Sequence, residues 1–194
     1  AATSINKYYS VPGITDRDLT ALTVGASILG GLASSRLDNI LVRDEQLAVG
    51  VSAGNFAFQR VGILNIGATV KPGVDTAVVE QRLNEIIEDY IAEGPTEDEL
   101  ERAKSNLVAS AIFQRDSQMA MAQVYGSARA RGDSLESVAA WPDEIESVTA
   151  DQVRETLAKY IAGKNYITTK LINNISHKFL AQFTHKWIFF CSSC

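Results

Sequence analysis

Apolar positions recur along this chain at two spacings, near two and near 3.6 residues, and the switches between them divide it into elements. Asn6 to Val11 reads as a short strand closed by Pro12-Gly13, because Pro fixes φ and Gly accepts positive φ. From Asp16 onward Leu19, Leu22, Ala26 and Leu29 fall at helical spacing, with Asp16 and Asp18 where negative charge suits a helix N-terminus. Gly30-Gly31 ends that helix. Ser34-Ser35 opens a second one with Leu37, Ile40 and Leu41 on its apolar side, and Arg36 and Arg43, seven apart and close to two full turns, share a face. Leu47 to Phe58 alternates loosely, whereas Leu64, Ile66, Ala68 and Val70 alternate cleanly against Asn65, Gly67 and Thr69, which predicts two neighbouring strands.

Lys71-Pro72-Gly73 is a turn, and the helix after it carries Val78, Val79, Leu83, Ile86, Ile87, Tyr90 and Ile91 on one broad stripe. Gly94-Pro95 stops it. Thr96 with Glu99 forms a capping box for a long helical region whose buried side is Leu100, Ala103, Leu107, Ala111 and Ile112, and then Met119, Val124, Tyr125 and Ala128 before Gly132, a length that suits two helices. Leu135 to Ile145 reads as a short helix interrupted at Trp141-Pro142, since the residue before a proline is disfavoured in the α region. Thr149 with Gln152 is a second capping box, opening a helix with Val153, Leu157, Tyr160 and Ile161 apolar, and Tyr166 to Ile172 is a last strand. This order gives an α+β fold, a mainly antiparallel mixed sheet with helices packed on one face.

The chain has 194 residues and 46% apolar content, enough for one core without disulfides or a metal. Its formal net charge of −5, with no basic stripe, argues against nucleic-acid binding. Charges of both signs alternate along helical segments, the pattern of a solvated face. No apolar run approaches the length of a membrane span. The chain opens with Ala1-Ala2-Thr3 and no basic segment leads into an apolar run, so a targeting peptide is expected to be removed or never present. Compartment, periplasm or cytoplasm, is left open.

Candidate chemistry is sparse. Gly30-Gly31 has neither a following Lys-Ser/Thr nor G-x-G-x-x-G spacing, so it reads as a helix break rather than a phosphate cradle. Met119 and Met121 read as core filler, and Tyr125 and Trp141 as core aromatics. Both histidines, His177 and His185, and both cysteines, Cys191 and Cys194, lie in residues 173–194, a tail rich in aromatics (Phe179, Phe183, Trp187, Phe189 and Phe190). The histidine spacing of eight fits no common zinc finger. The expected division is a domain at 1–172 and an atypical tail at 173–194.

The run Ile28-Leu29-Gly30-Gly31-Leu32-Ala33-Ser34-Ser35-Arg36-Leu37, followed by Leu41-Val42-Arg43-Asp44-Glu45-Gln46-Leu47-Ala48, resembles the L-G-G-G-x-x-S-R-L-x-x-x-L-R-E segment of the pitrilysin/insulinase/mitochondrial processing peptidase family. Tyr9-Ser10-Val11-Pro12, Ala68 to Val74 and Gly94-Pro95-Thr96 to Lys104 are similar to further family segments in the same order, and Asp116-Ser117-Gln118, Tyr125-Gly126 and Trp141-Pro142 resemble the bacterial members. Active domains of that family carry H-x-x-E-H, two zinc ligands and a general base. Here no Asp or Glu lies between the two histidines, so that motif is missing.

The resemblance therefore implies the non-catalytic half of a zinc peptidase, inactive alone, with no cofactor of its own, zinc residing in a homologous partner half, and peptide as the substrate. Several family members carry, on this half, an Arg and a Tyr seven apart that reach the substrate. Arg43 matches the Arg, but Gly50, or Val49 with a one-residue deletion, stands at the Tyr. Neither has a side-chain donor for developing charge. Arg43 is then either a substrate-facing cation or a surface helix residue paired with Asp44 or Glu45. Two other classes stand beside the peptidase half: a structural subunit like the core proteins of respiratory cytochrome complexes, and a stand-alone peptide-binding module using a sheet edge.

Overall fold

The computed structural model describes residues 2–14 and 16–172. Four strands form one sheet: β1 (Ser4–Pro12), β2 (Ala48–Ala57), β3 (Val61–Val70) and β4 (Tyr166–Leu171), in the order β2-β3-β1-β4. All three ladders are antiparallel. Helix α1 (Leu19–Ala26) runs into a π-helical turn, Ser27–Gly31, and α2 (Asp38–Asp44) is π-helical throughout. Then come α3 (Thr76–Glu93), α4 (Glu97–Gln114), α5 (Gln118–Arg131), α6 (Leu135–Ser147) and α7 (Ala150–Tyr160). The expected α+β layer, helices over one face of an antiparallel sheet, is the architecture found.

The period-2 pattern decides which face is covered. Ile5, Lys7, Tyr9 and Val11 of β1 and Leu64, Ile66, Ala68 and Val70 of β3 are all buried under the helices. Against them pack Leu22 and Val24 of α1, Val79, Leu83, Ile86, Ile87 and Tyr90 of α3, and Val153 and Leu157 of α7. Truncating one such side chain, Leu83 for example, to Ala is expected to cost about 2–5 kcal/mol, more than any surface ion pair contributes. Gly30 allows the closest approach of helix to sheet: a Cβ there would lie 2.8 Å from the Ala53 nitrogen and 2.9 Å from the Ala53 Cβ.

Both capping boxes form as expected, Thr96 with Glu99 and Thr149 with Gln152. Several other expectations are corrected. The helix of Trp141-Pro142 is not interrupted: α6 continues through Pro142, because Ile145, one turn beyond Trp141, is fully buried and holds the last turn against the core. Val78 and Ile112 are exposed, since the buried stripe of α3 is narrower than its apolar stripe and α4 leaves the core in its second half. Asp18 stands at the N-cap of α1 without capping it; its carboxylate accepts instead from Lys159 Nζ at 2.6 Å and the Tyr160 hydroxyl at 3.0 Å, tying the α1 entry to α7. Among the described residues no helix is long and apolar enough to cross a membrane.

Candidate functional site

The segment from α2 into β2 carries the one residue singled out for substrate contact. Arg43 is 58% exposed in its side chain, its Nε donates to Asp38 Oδ2 at 2.8 Å, and its Nη2 donates to the Ala33 carbonyl. The expected partner is thus corrected. Asp38 holds the guanidinium, while Glu45 is taken by Arg82 at 2.8 Å. The shared face of Arg36 and Arg43 is also lost, because a π-helix closes i→i+5 bonds and its wider turn makes seven residues fall short of two turns. Arg36 points inward to Glu99 and Arg43 outward.

Between Arg43 and the strand the chain turns at Gln46, the only described non-glycine residue with positive φ, at 52°. The register then slips between Ala48, opposite Val70, and Gly50, opposite Thr69. Val49 is the extra residue of this β-bulge and is exposed. The position where the family resemblance asks for a phenol therefore holds an apolar side chain on an irregular edge strand, with no donor to offer an oxyanion. β2 stands at one end of the sheet and pairs only with β3 among the described residues, so its outer backbone groups are free to meet another strand.

Among the described residues no group of three or more His, Cys, Asp or Glu side chains is placed to hold a metal. His177, His185, Cys191, Cys194 and the tail aromatics lie outside the described residues.

The reading of the aromatics and methionines changes as well. Met119 is 78% exposed, and α5 buries only Ala128, so its hydrophobic positions are not core filler. Met121 and Tyr125 line a cavity between helices, and Trp141 both packs on the core edge and lines that cavity. Sequence reasoning missed this site because a stripe facing a cavity has the same period as one facing a core.

Residues 1–107 match the family model described as the peptidase M16 inactive domain. No curated protein sequence matches this chain. Among solved structures, a protease from Helicobacter pylori superposes with a TM-score of 0.82 at 20% identity, over 89% of this chain and 41% of its own. The inactive peptidase domain of a candidate zinc protease from Bordetella parapertussis gives 0.79 at 24%, over 89% of this chain and 91% of its own. A peptidase M16 inactive domain from Pseudomonas fluorescens gives 0.77 at 22%, over 87% of this chain and 40% of its own. The chain thus spans about two fifths of the first and third of these chains and nearly all of the second. A family model covering more than half of the sequence, on a sheet and helix order that the solved inactive domains share, places this chain in the peptidase M16 family as one of its inactive domains.

Proposed function

We propose that this chain is the non-catalytic half of a zinc metallopeptidase, enclosing and positioning peptide for a separate zinc-bearing homologous half in the same polypeptide or another subunit. Residues 1–172 form the domain that does so. The observation that carries the reading is the uncovered face of the sheet. Phe56, Ile63, Ile167 and Leu171 are exposed there, on the side opposite the helices, where a solvated antiparallel sheet is normally polar. Phe56 and Ile63 are cross-strand partners, and Ile167 and Leu171 lie on β4 beyond polar Asn6, Ser10, Asn65 and Thr69, so apolar side chains stand exposed at both ends of a mixed face, which suits a surface that another protein covers.

Peptide would lie along the β2 edge, main chain to main chain, with Arg43, in the last turn of α2 ahead of that strand, as a substrate-facing cation. Zinc and the water-activating carboxylate belong to the other half. With Val49 and Gly50 in place of a phenol, this half contributes binding and orientation rather than charge stabilisation.

Reconstitution tests the reading. The chain, mixed with its zinc-bearing half, is expected to restore cleavage of an unstructured quenched-fluorescent peptide that neither part cleaves alone. A zinc half equally active without it overturns the proposal. Arg43→Ala is expected to raise KM or lower turnover, and no effect on either removes Arg43 from the site. The missing phenol favours a second reading, a structural subunit without proteolytic role. Its signature in the same experiment is a stable complex with no gain in cleavage.

A further inference from the structure

A cavity of about 1080 Å³ opens between the leading loop and first turns of α1, the end of β2, the last turn of α4, and helices α5, α6 and α7. Its walls are amphipathic. Leu19, Met121, Val124, Tyr125, Val138 and Trp141 supply apolar surface. The Tyr125 hydroxyl and the Trp141 indole N–H donate to no protein acceptor among the described residues. The volume is at or above the upper end for single small-molecule pockets, about 300–1,000 Å³.

The charges on the walls are not equally available. Asp18 is held by Lys159 and Tyr160, Asp16 accepts the Asp18 N–H at 2.9 Å, and Glu144 accepts from Thr20 Oγ1 at 3.1 Å. Asp133 accepts from the Ser134 N–H and the Ser137 hydroxyl. Glu155 alone of the lining carboxylates has no partner among the described residues. Arg115 and Arg131, both exposed, have no ion pair among the described residues. Arg17 is only 3.9 Å from Asp18 and nearly all solvent-exposed. Asp16, Asp133, Glu144 and Glu155 thus keep acceptor oxygens on the same walls, but Arg115 and Arg131 are the lining cations with no carboxylate partner among the described residues, and a guanidinium matches a carboxylate in a planar, two-pronged way.

Arg115 precedes α5 and Arg131 ends it. At 1.5 Å per residue the 14 residues of α5 separate them by about 20 Å, the reach of about six extended residues. We infer that this cavity is an exosite for an extended peptide segment of that length, with an aromatic or aliphatic centre over Trp141 and Tyr125 and a carboxylate near each end, bound by Arg115 and Arg131. The peptide nature of the occupant rests on the proposed function; the charge pattern and length come from the cavity itself.

Three labelled hexapeptides with a Leu-Phe-Leu-Leu centre, acetylated and amidated, and ending at both sides in Asp, Asn or Lys, test the inference by fluorescence anisotropy on the full chain alone. The Asp-ended peptide is expected to bind roughly tenfold or more tighter than the other two, with a preference that falls as salt is added. Arg115→Ala with Arg131→Ala is expected to erase the preference while circular dichroism and melting stay as in the parent, since both side chains are exposed. Arg102→Ala, at an exposed arginine outside the cavity lining, is expected to leave it unchanged. Three peptides binding alike, or a preference that survives the double variant, overturns the exosite. So does laurate binding that depends on the two arginines when no peptide binds, which would identify a lipid site. The measurement needs no zinc half, so failure here and failure of reconstitution are separately visible.

Discussion

Arg36 grips Glu99 through two parallel hydrogen bonds, Nε to Oε1 at 2.7 Å and Nη2 to Oε2 at 2.8 Å, across 63 residues of sequence. The same guanidinium donates to the Gly94 carbonyl at 2.9 Å and stacks 4.7 Å from the centroid of Tyr90. Glu99 Oε2 in turn accepts the Thr96 N–H at 2.9 Å, so one carboxylate both caps α4 and anchors the segment leading into α2. Glu99→Gln keeps the capping geometry and loses the charged fork, and is expected to cost about 2 kcal/mol in denaturant titration. Arg36→Ala leaves the carboxylate without its partner and is expected to cost about 3 kcal/mol. Equal stability of both variants and the parent would sink this account.

The same pair gives a pH dependence with a definite sign. Partial burial pushes the Glu99 carboxyl up, but the hydrogen bonds from Arg36 and from the Thr96 N–H outweigh it and hold the group below the usual carboxylate range. A depressed folded value means the stabilisation is fully present above the unfolded value, about 4.3 for Glu, and is lost as pH falls through the lower folded one. Stability measured from pH 6 downward is therefore expected to fall less steeply in Glu99→Gln than in the parent. Parallel curves would assign the acid loss to other carboxylates, of which Asp18, lowered chiefly by its hydrogen bond from Lys159, is the first to examine.

Lys7 is fully buried on the helix-covered face of β1, its Nζ has no hydrogen-bond partner, and its nearest compensation is the Tyr166 ring, 4.0 Å to the centroid. Removing an unpaired buried polar group is favourable when the replacement fills its volume. Lys7→Met is expected to raise stability by about 1–3 kcal/mol. Tyr166→Leu is expected to destabilise the parent more than the Lys7→Met variant, by about 2 kcal/mol of coupling for a desolvated cation–π pair. Strict additivity in that double-mutant cycle would show that the ring does not stabilise the ammonium.

What could be read before the fold was known followed from how local each signal is. The capping boxes and the alternation of β3 rest on neighbours three or two residues away, and both appear where expected. Counting α-helical turns puts Arg36 and Arg43 on one face, and the π-helical backbone of α2, held by bonds such as Glu45 N–H to the Ile40 carbonyl at 2.9 Å, rotates them apart. Lys7, a charged residue, is turned inward by its strand parity with Ile5 and Tyr9. Asp18 looks like a cap, and its true partner lies 141 residues away. Of the candidate site, the helical setting of Arg43 follows from local spacing, whereas its pairing with Asp38, the bulge at Val49 and the cavity wall of α5 depend on packing that no spacing encodes.

Gly30→Ala tests the tightest helix-to-sheet contact. A methyl there meets backbone and Cβ atoms of Ala53 rather than a flexible side-chain tip, so β2 must move or the π-helical turn must unwind. The expected cost is about 1–3 kcal/mol. Because β2 is the edge proposed to meet peptide, hydrogen exchange at 48–57 is expected to quicken in this variant before exchange at 61–70 does. Uniform acceleration across both strands would mean that the contact secures the whole sheet and not its edge.

Asp38 holds the Arg43 guanidinium that is proposed to meet substrate. Their 2.8 Å pair is half-solvated, and exposed pairs contribute about 0–1 kcal/mol, so Asp38→Ala is expected to leave the melting temperature nearly unchanged. It also releases the guanidinium from its only carboxylate partner among the described residues. In the reconstituted peptidase a substrate-facing Arg43 without that competitor is expected to bind peptide more tightly, lowering KM with little change in kcat, whereas Arg43→Ala raises KM. Adding Asp38→Ala to Arg43→Ala should then do nothing further, because the aspartate acts only through the arginine. If Asp38→Ala raises KM as Arg43→Ala does, the ion pair is instead what aims the guanidinium, and Asp38 is a positioning residue; if neither variant moves KM or kcat, the pair is surface chemistry and peptide is held by the β2 edge without it.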